Sequence, residues 1–307
     1  MHAPRTIADY LAQLRDALRG ADPALIQDAL YDAEEHLRAE LAEQPGRSEA
    51  DMLAHVVGSY GAPEEVAELY RDQEIRIQRA LRPPPAPKRR SLAGRFFGVA
   101  ADVRAWGALF YMLLAFGTGI AYFVLVVVGL SMSAGLSVLI IGIPFIVLFF
   151  GVVRAMSLME GRIVEAMLGV RMPRRPPYPD QNGSLLQRIG AMFTDWRTWT
   201  TMFYMVLMLP LGIAYFTMTV TLLALSLGFS ALPFARLVDV DGLDHLFGHG
   251  AFTVDWGFGP HVPGGVELVA LGVFGMLLFF ATLHLVRAIG QLQGQLAKHL
   301  LVAGAAR

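Results

Sequence analysis

The chain lacks cysteine altogether and carries little charge: Asp, Glu, Lys and Arg make up 17% of its 307 residues. Without cysteine it has neither a disulfide framework nor a thiolate that could act as nucleophile or metal ligand. The charge is also uneven, because residues 1–82 are rich in it whereas 106–153, 201–235 and 263–286 are almost free of it. A hydrophobic content of 55% is above that of ordinary soluble domains. The composition therefore indicates a soluble region joined to membrane segments.

The sequence also lacks the motifs of catalysis. It has no Gly-x-Ser-x-Gly, no Walker A loop and no protein-kinase signature. The apolar stretches have no central Asp, Glu, Lys or Arg, although ion-coupled transporters usually place such groups within the membrane. We therefore expect neither an enzyme nor an ion-coupled transporter, and we predict no catalytic residue, no cofactor-binding residue, no metal ligand and no cofactor.

A polar, glycine-rich stretch from 229 to 265 separates the last two apolar segments. Seven of its side chains are of types that ligate metals: Asp239, Asp241, Asp244, His245, His249, Asp255 and His261. Their spacing matches neither a zinc motif nor an EF-hand, so we expect an ordinary external loop. Metal binding and contact of this loop with the membrane surface stay open as alternatives.

Two apolar stretches repeat one another. Residues 102–123 and 195–216 are identical at 12 of 22 positions without a gap, and both end in Gly-Ile-Ala-Tyr-Phe. Self-similarity of this kind predicts two copies of one structural unit. Two later segments agree more weakly, and we expect both to be amphipathic and cytoplasmic: they align Arg154, Ala155 and Gly161 with Arg287, Ala288 and Gly294.

The first 80 residues have the periodicity of amphipathic helices, with boundaries at Gly20, Asp22-Pro23, Pro45-Gly46 and Gly61-Ala-Pro63. Because the first 20 residues hold no continuous apolar run, they are unlike a signal peptide, and we expect this region to stay on the side of synthesis. Two stretches resemble the HAAS domain, a cytosolic helical signalling module that precedes membrane segments in bacterial proteins: YLAQLRDALRGADPALIQDALYDAEEHLRAEL and SEADMLAHVVGSYGAPEEVAELY.

Four apolar stretches, each long enough to cross a hydrocarbon core as a helix, lie near 106–128, 135–153, 201–229 and 265–286. Lys and Arg number six between 82 and 104, seven between 154 and 197, and three from 287 onward. The two other connections hold Arg236 alone. The positive-inside rule therefore predicts a multi-pass protein of the bacterial inner (cytoplasmic) membrane with both termini cytoplasmic.

The expected fold is all-α: a small cytosolic helical domain plus a four-helix transmembrane domain built from two parallel helix-hairpin repeats. The predicted divisions are a HAAS-like domain at 1–80, a proline-rich basic linker at 81–91 and a duplicated transmembrane region at 92–307, with repeats at about 92–170 and 185–302. Residues 92–302 resemble the "putative sensor domain" of bacterial membrane proteins, through the duplicated GIAYF and the stretches RTWTTMFYMVLMLPLGIAYF and IIGIPFIVLFFGVVRAMSLMEGRIVEAMLGV. That resemblance implies a membrane architecture and a signalling role.

Three sets of residues are candidates for function. Matched Asp-x-Arg-x-Trp motifs either anchor the repeated helices at the headgroups or couple bundle motion to the cytosolic domain: Asp102, Arg104, Trp106, Asp195, Arg197 and Trp199. The GIAYF residues either pack the helices or line an inter-repeat crevice for a lipid or apolar ligand: Gly119, Tyr122, Phe123, Gly212, Tyr215 and Phe216. Acidic faces of the helical domain are either solvated or a partner surface: Glu34, Glu35, Glu64 and Glu65.

These features predict a membrane sensor or regulatory protein that relays a membrane-level stimulus through its cytosolic helical domain to a partner. The HAAS resemblance implies a PadR-like transcription regulator as one partner, with a kinase or an ABC transporter as alternatives. We expect contact with membrane lipids and no direct binding of nucleic acid, and homo-oligomerisation stays open. The alternative function is a small lipid-binding or transport-associated protein that uses the crevice between the repeats.

Overall fold

The computed structural model describes residues 4–43, 48–81, 91–138, 142–173, 194–235, 254–255, 260–261 and 264–302. Helices make up nearly all of this part of the chain, which confirms the all-α class. A two-residue antiparallel ribbon, β1 (Val254–Asp255) with β2 (Pro260–His261), lies in the connection before the last helix. The seven candidate metal ligands of that connection lie outside the residues whose side chains are described.

The N-terminal region folds into four helices: α1 (Ile7–Ala17), α2 (Pro23–Glu43), α3 (Glu49–Ser59) and α4 (Pro63–Leu81). Their starts follow the capping chemistry of the sequence, since the Thr6 and Ser48 hydroxyls accept hydrogen bonds from first-turn amides. Before α4, the Glu65 carboxylate accepts a hydrogen bond of 3.1 Å from the Ala62 amide. Gly61 has a φ of 110°, a left-handed conformation that favours glycine in this turn.

One apolar core holds these four helices together. Its buried side chains come from every helix and from the α1–α2 turn: Ile7, Tyr10, Leu14, Leu18, Ala29, Ala33, Leu37, Met52, Leu53, Val56, Val66 and Ala67. The Tyr10 hydroxyl donates a hydrogen bond of 2.9 Å to the Gly61 carbonyl, which ties α1 to the turn before α4. Burial raises the pKa of Tyr10 well above its usual range, because it disfavours the phenolate.

After the short helix α5 (Leu92–Phe97) and a 3₁₀ turn (Gly98–Ala101) come four long apolar helices: α6 (Val103–Leu136), α7 (Gly142–Leu168), α8 (Trp196–Ala235) and α9 (Gly265–Leu301). The shortest, α7, has 27 residues and is about 40 Å long, more than the ~30 Å hydrocarbon core of a bilayer. All four are long and apolar enough to span a membrane. Moreover, α7 and α9 continue unbroken through the segments expected to be cytoplasmic.

By packing, the chain divides into two units. The first comprises Met1–Lys88, Ile120–Met208 and Leu292–Arg307, and the second comprises Arg89–Gly119 and Leu209–Gln291. The first unit therefore contains the N-terminal helical domain, all of α7, and parts of α6, α8 and α9. The domain bounds predicted from composition stay a prediction.

Small residues allow close helix packing within the second unit. A Cβ on Gly212 of α8 would overlap the Ala115 carbonyl oxygen of α6, so glycine is needed for this approach. Gly275 of α9 approaches the backbone of α8 in a similar way. Arg287 of α9 forms an ion pair of 2.8 Å with Asp102, the residue that precedes α6. These contacts join α6, α8 and α9 within the unit, while the parallel arrangement of two hairpins stays a prediction.

Candidate functional site

A single carboxylate, that of Glu160 in α7, joins the membrane helices of the first unit. Its side chain is 1% exposed. One oxygen accepts a hydrogen bond of 2.8 Å from the Tyr122 hydroxyl of α6, and the other accepts one of 2.9 Å from the Tyr204 hydroxyl of α8. Gln293 of α9 donates from Nε2 to the Tyr204 oxygen at 3.1 Å. One buried chain of hydrogen bonds thus connects all four membrane helices.

This hydrogen-bond chain constrains how the helices pack. A buried carboxyl group without partners is costly, but here each oxygen of Glu160 receives a hydroxyl hydrogen. Every partner comes from a different helix, so a relative movement of two helices breaks at least one hydrogen bond between buried side chains. We therefore regard the Glu160 cluster, formed by Glu160, Tyr122, Tyr204 and Gln293, as a candidate control point.

The sequence predicts an amphipathic, cytoplasmic segment from residue 154 onward, and this expectation does not single out Glu160. Instead α7 continues to Leu168 and brings Glu160 among the other helices. The repeat holds the signal that could have found it: with Arg154 aligned on Arg287, Glu160 falls opposite Gln293. Both copies therefore have a polar residue followed by glycine at this position, Glu160-Gly161 and Gln293-Gly294. This pattern favours a site that faces other helices over a helix face in contact with solvent.

A second polar cluster is centred on Arg171, which follows the C-terminal end of α7. Its guanidinium faces three carboxylates, and its side chain is 10% exposed. Nη2 lies 3.3 Å from Asp28 of α2, Nε lies 3.4 Å from Glu74 of α4, and Nη1 lies 3.3 Å from Glu165 of α7. This Arg171 cluster therefore links two helices of the N-terminal domain to a membrane helix. Without the cation, the three acidic groups would repel one another.

Two further cations bind the beginning of α2. Lys298 of α9 forms an ion pair with Asp22, which directly precedes α2. Arg197 of α8 donates from Nη2 to the side-chain oxygen of Gln27 at 2.7 Å. With the Arg171 cluster, these contacts attach residues 22–28 to α8, to α9 and to the chain that follows α7. The start of α2 is thus a principal attachment point of the N-terminal domain.

The matched Asp-x-Arg-x-Trp motifs share one local structure. Asp102 accepts a hydrogen bond of 3.0 Å from the Arg104 amide, and Asp195 accepts one of 3.0 Å from the Arg197 amide, so each aspartate caps its helix. Trp106 and Trp199 are 40% and 43% exposed, as headgroup anchors would be. The copies differ in their partners, because the Arg197 side chain reaches the N-terminal domain. Transmission of helix motion through these residues stays a prediction.

The six candidate crevice residues do not share one environment. Tyr122 belongs to the first unit and is bonded to Glu160, whereas Gly212 and Phe216 belong to the second. Gly212 lies against the backbone of α6, and the Phe216 ring stacks on Phe116 with 5.0 Å between centroids. Gly119 is buried, and Phe123 and Tyr215 are partly buried. These are contacts of helix packing, and a ligand crevice stays a prediction.

Part of the candidate partner surface makes contacts within the N-terminal domain. Glu34 forms an ion pair of 2.8 Å with Arg38 on the same helix, and Glu65 caps α4. Glu35 and Glu64 have exposed side chains. The role of this surface in partner binding stays a prediction.

The fold and the two clusters define a class: a multi-helix membrane protein with a small all-helical domain attached to its membrane helices. The family described as "Putative sensor" matches residues 111–301, and the family described as HAAS matches residues 9–68. The chain therefore belongs to the "Putative sensor" family and carries a HAAS domain, which confirms both sequence resemblances. Comparison with curated proteins and with solved structures gave no match.

These two families fit a sensory or regulatory role for the protein. HAAS domains are associated with regulator partners such as PadR-like proteins. Four apolar helices together with a sensor domain indicate a membrane protein. The relay of a signal, the partner and the orientation in the membrane go beyond this class.

Proposed function

We propose that the protein is a membrane sensor whose four-helix region responds to a stimulus at the membrane and whose HAAS domain passes the response to a cytosolic partner. One observation carries this proposal: Arg171, next to the end of α7, holds Asp28 of the HAAS domain and Glu74, which follows the matched residues on α4, in a buried ion cluster. A change in the position of α7 can therefore act directly on the HAAS domain.

The Glu160 cluster supplies the element that responds. Glu165 of the Arg171 cluster lies five residues after Glu160 on the same helix, about 7.5 Å along its axis. A shift or rotation of α7 that exchanges hydrogen bonds at Glu160 therefore also moves Glu165 and Arg171 relative to Asp28 and Glu74. A ligand or lipid state that favours one packing of the helices over another shifts the population of the two arrangements.

The proposed orientation places both termini in the cytoplasm and the 229–265 connection outside. Single replacements Arg47→Cys and Gly250→Cys test it without background, because the chain has no cysteine of its own. A membrane-impermeant maleimide added to intact cells should label position 250, and position 47 should react only after permeabilisation. Equal labelling of both positions in intact cells would contradict the orientation.

The proposed partner is a cytosolic regulator of the PadR-like type, with a kinase or an ABC transporter as alternatives. The protein is proposed to act without catalysis of its own, so its signal leaves through this partner. Exposed acidic side chains such as Glu35 and Glu64 supply a surface on which a basic partner could bind. Membrane lipids are proposed as further contacts of the four-helix region.

Affinity purification from native membranes, followed by mass spectrometry, tests the relay. Three forms are compared: the full chain, a chain without residues 1–80, and the Arg171→Gln variant. The full chain should recover a cytosolic regulator, the truncated chain should lose it, and Arg171→Gln should change the amount recovered. Arg19→Gln is the matched control, because its ion pair with Asp16 lies on the surface. If the truncated chain recovers the same partner and leaves stress-dependent gene expression unchanged, the relay is wrong and the lipid-binding or transport-associated function takes its place.

A further inference from the structure

A cavity of about 90 Å³ lies beside the attachment point of the HAAS domain. Gln27 of α2 lies on one side, and the rest of the lining comes from α7, from Met172 and Pro173 after it, from the start of α8 and from Leu301 of α9. Two arginines and one aspartate line it, Arg154, Arg197 and Asp195, next to apolar side chains that include Phe150 and Leu158. The volume is enough for several water molecules or one phosphate group, and too small for a whole lipid.

Counted over the described residues that line it, the cavity has one positive charge in excess. Asp195 is used as the cap of α8, where it accepts from the Arg197 amide, and the Arg197 guanidinium donates to the neutral Gln27. Arg154 is partly buried and close enough to Arg197 for their charges to repel. Within the described part of the chain, no carboxylate lies within ion-pair distance of Arg154.

The second repeat shows what an arginine at this position otherwise does. Arg287 is the counterpart of Arg154, and it forms an ion pair of 2.8 Å with Asp102, the counterpart of Asp195. The ion pair thus joins the arginine of the second repeat to the aspartate of the first, whereas the arginine of the first repeat, Arg154, faces a cavity. This difference indicates an anionic ligand for the cavity beside Arg154.

We infer that the cavity binds the phosphate group of an anionic phospholipid. Arginine forks bind phosphate oxygens through paired N–H groups, and basic pockets at the inner ends of membrane helices are suited to lipid headgroups. The position agrees, since Arg154 directly follows the apolar run 142–153 of α7. Lipid chains extend from the cavity along the exposed apolar face of α7, where Val147 and Leu148 are 39% and 63% exposed. A free phosphate would not use this apolar surface.

Occupancy of the cavity bears on the attachment of the HAAS domain. A phosphate that takes the donors of Arg197 competes with Gln27, which belongs to α2. The lipid would thereby loosen one of the contacts that hold residues 22–28. This regulatory consequence rests on the proposed function, whereas the binding of the lipid does not.

Native mass spectrometry of the full chain in detergent, titrated with dioleoyl-phosphatidylglycerol or dioleoyl-phosphatidylcholine, tests the site. The full chain should bind one phosphatidylglycerol more tightly than phosphatidylcholine. Arg154→Gln should weaken that first binding about fivefold, the effect of one cationic side chain on an anionic lipid. Arg287→Gln is the matched control and should change it less than twofold, because its arginine is already paired. The affinity of Arg154→Lys, which keeps the charge, should lie between those of the parent protein and Arg154→Gln. This variant replaces Arg154→Gln in the test if the glutamine variant does not fold.

Three results would overturn the assignment. The site is wrong if the full chain shows no preference for phosphatidylglycerol, or if Arg154→Gln and Arg287→Gln lose equal affinity. It is also wrong in its choice of ligand if millimolar inorganic phosphate displaces the lipid completely, since the cavity would then be a site for the free anion. These results are independent of the partner purification with Arg171→Gln, so the failure of the lipid site and the failure of the relay are distinguishable.

Discussion

Replacement of Arg171 by glutamine should weaken the attachment of the HAAS domain to the membrane helices. The Arg171 side chain is 10% exposed and its three acidic partners are 7–13% exposed, so little water screens the charges. Removing one partner of a buried ion pair costs about 3–5 kcal/mol. The contacts of 3.3–3.4 Å are longer than strong charge-assisted hydrogen bonds, which places the expected loss near the lower value. About 3 kcal/mol corresponds to a loss of attachment on the order of 100-fold.

Pulsed EPR distance measurement in lipid nanodiscs checks this expectation, and the absence of cysteine allows labels at two chosen positions. Ala54→Cys in α3 and Ala166→Cys in α7 are both exposed and belong to the same packing unit. The parent protein should give a narrow distance distribution, and Arg171→Gln should broaden it. Arg19→Gln should leave it unchanged, since the side chains of Arg19 and Asp16 are 79% and 55% exposed and such pairs contribute little.

A narrow distribution in the Arg171→Gln variant would refute the reasoning. Thermal unfolding of the HAAS domain is the second measurement, because its apolar core does not include Arg171 and should keep its unfolding temperature. If the domain itself unfolds, Arg171 stabilises the fold of the domain rather than its attachment. Arg171→Lys, which keeps the charge but loses the planar fork, should broaden the distribution less than Arg171→Gln.

Three further predictions concern the Glu160 cluster, a helix contact and a partly buried tyrosine. Glu160→Leu leaves two buried hydroxyls without their acceptor and should lower the free energy of unfolding in nanodiscs by about 2–4 kcal/mol, whereas Glu160→Gln, which still accepts hydrogen bonds, should cost clearly less. Gly212→Ala should lower the unfolding temperature, because the added methyl group overlaps the α6 backbone. Gly117→Ala is the control and should leave the unfolding temperature unchanged, because its methyl group meets nothing within 4 Å. Equal decreases in the two variants would contradict the contact between Gly212 and α6. Burial, aided by the hydrogen bond to Asp32, raises the pKa of Tyr70 above its usual range, so its native state retains the proton. The resulting stability is present below about pH 10 and is lost as the pH rises further, and circular dichroism should show a smaller alkaline loss for Tyr70→Phe.

The helices could be predicted from the sequence because local signals specify them. Ser48 and Pro63 mark the starts of α3 and α4, and the apolar runs mark the four membrane helices, as the structure confirms. The partners of single polar residues carry no such local signal. Arg171 counts in the positive-inside rule as one of seven similar cations, yet its contact with Asp28 joins residues 143 positions apart. Its role follows from tertiary packing that no short stretch of sequence encodes.

The Glu160 cluster depends on a difference between the two repeats. If both copies carried glutamate, residue 293 would present a second carboxylate to Tyr204, whose hydroxyl has one proton to donate and is already bonded to Glu160. The two buried negative charges would also repel each other. Glutamine at 293 donates instead, so the hydrogen bonds run in one direction from Gln293 through Tyr204 to Glu160, and Tyr122 supplies the second donor. In this chain a position at which the repeats differ in charge, rather than the shared GIAYF, holds the residue that joins all four membrane helices.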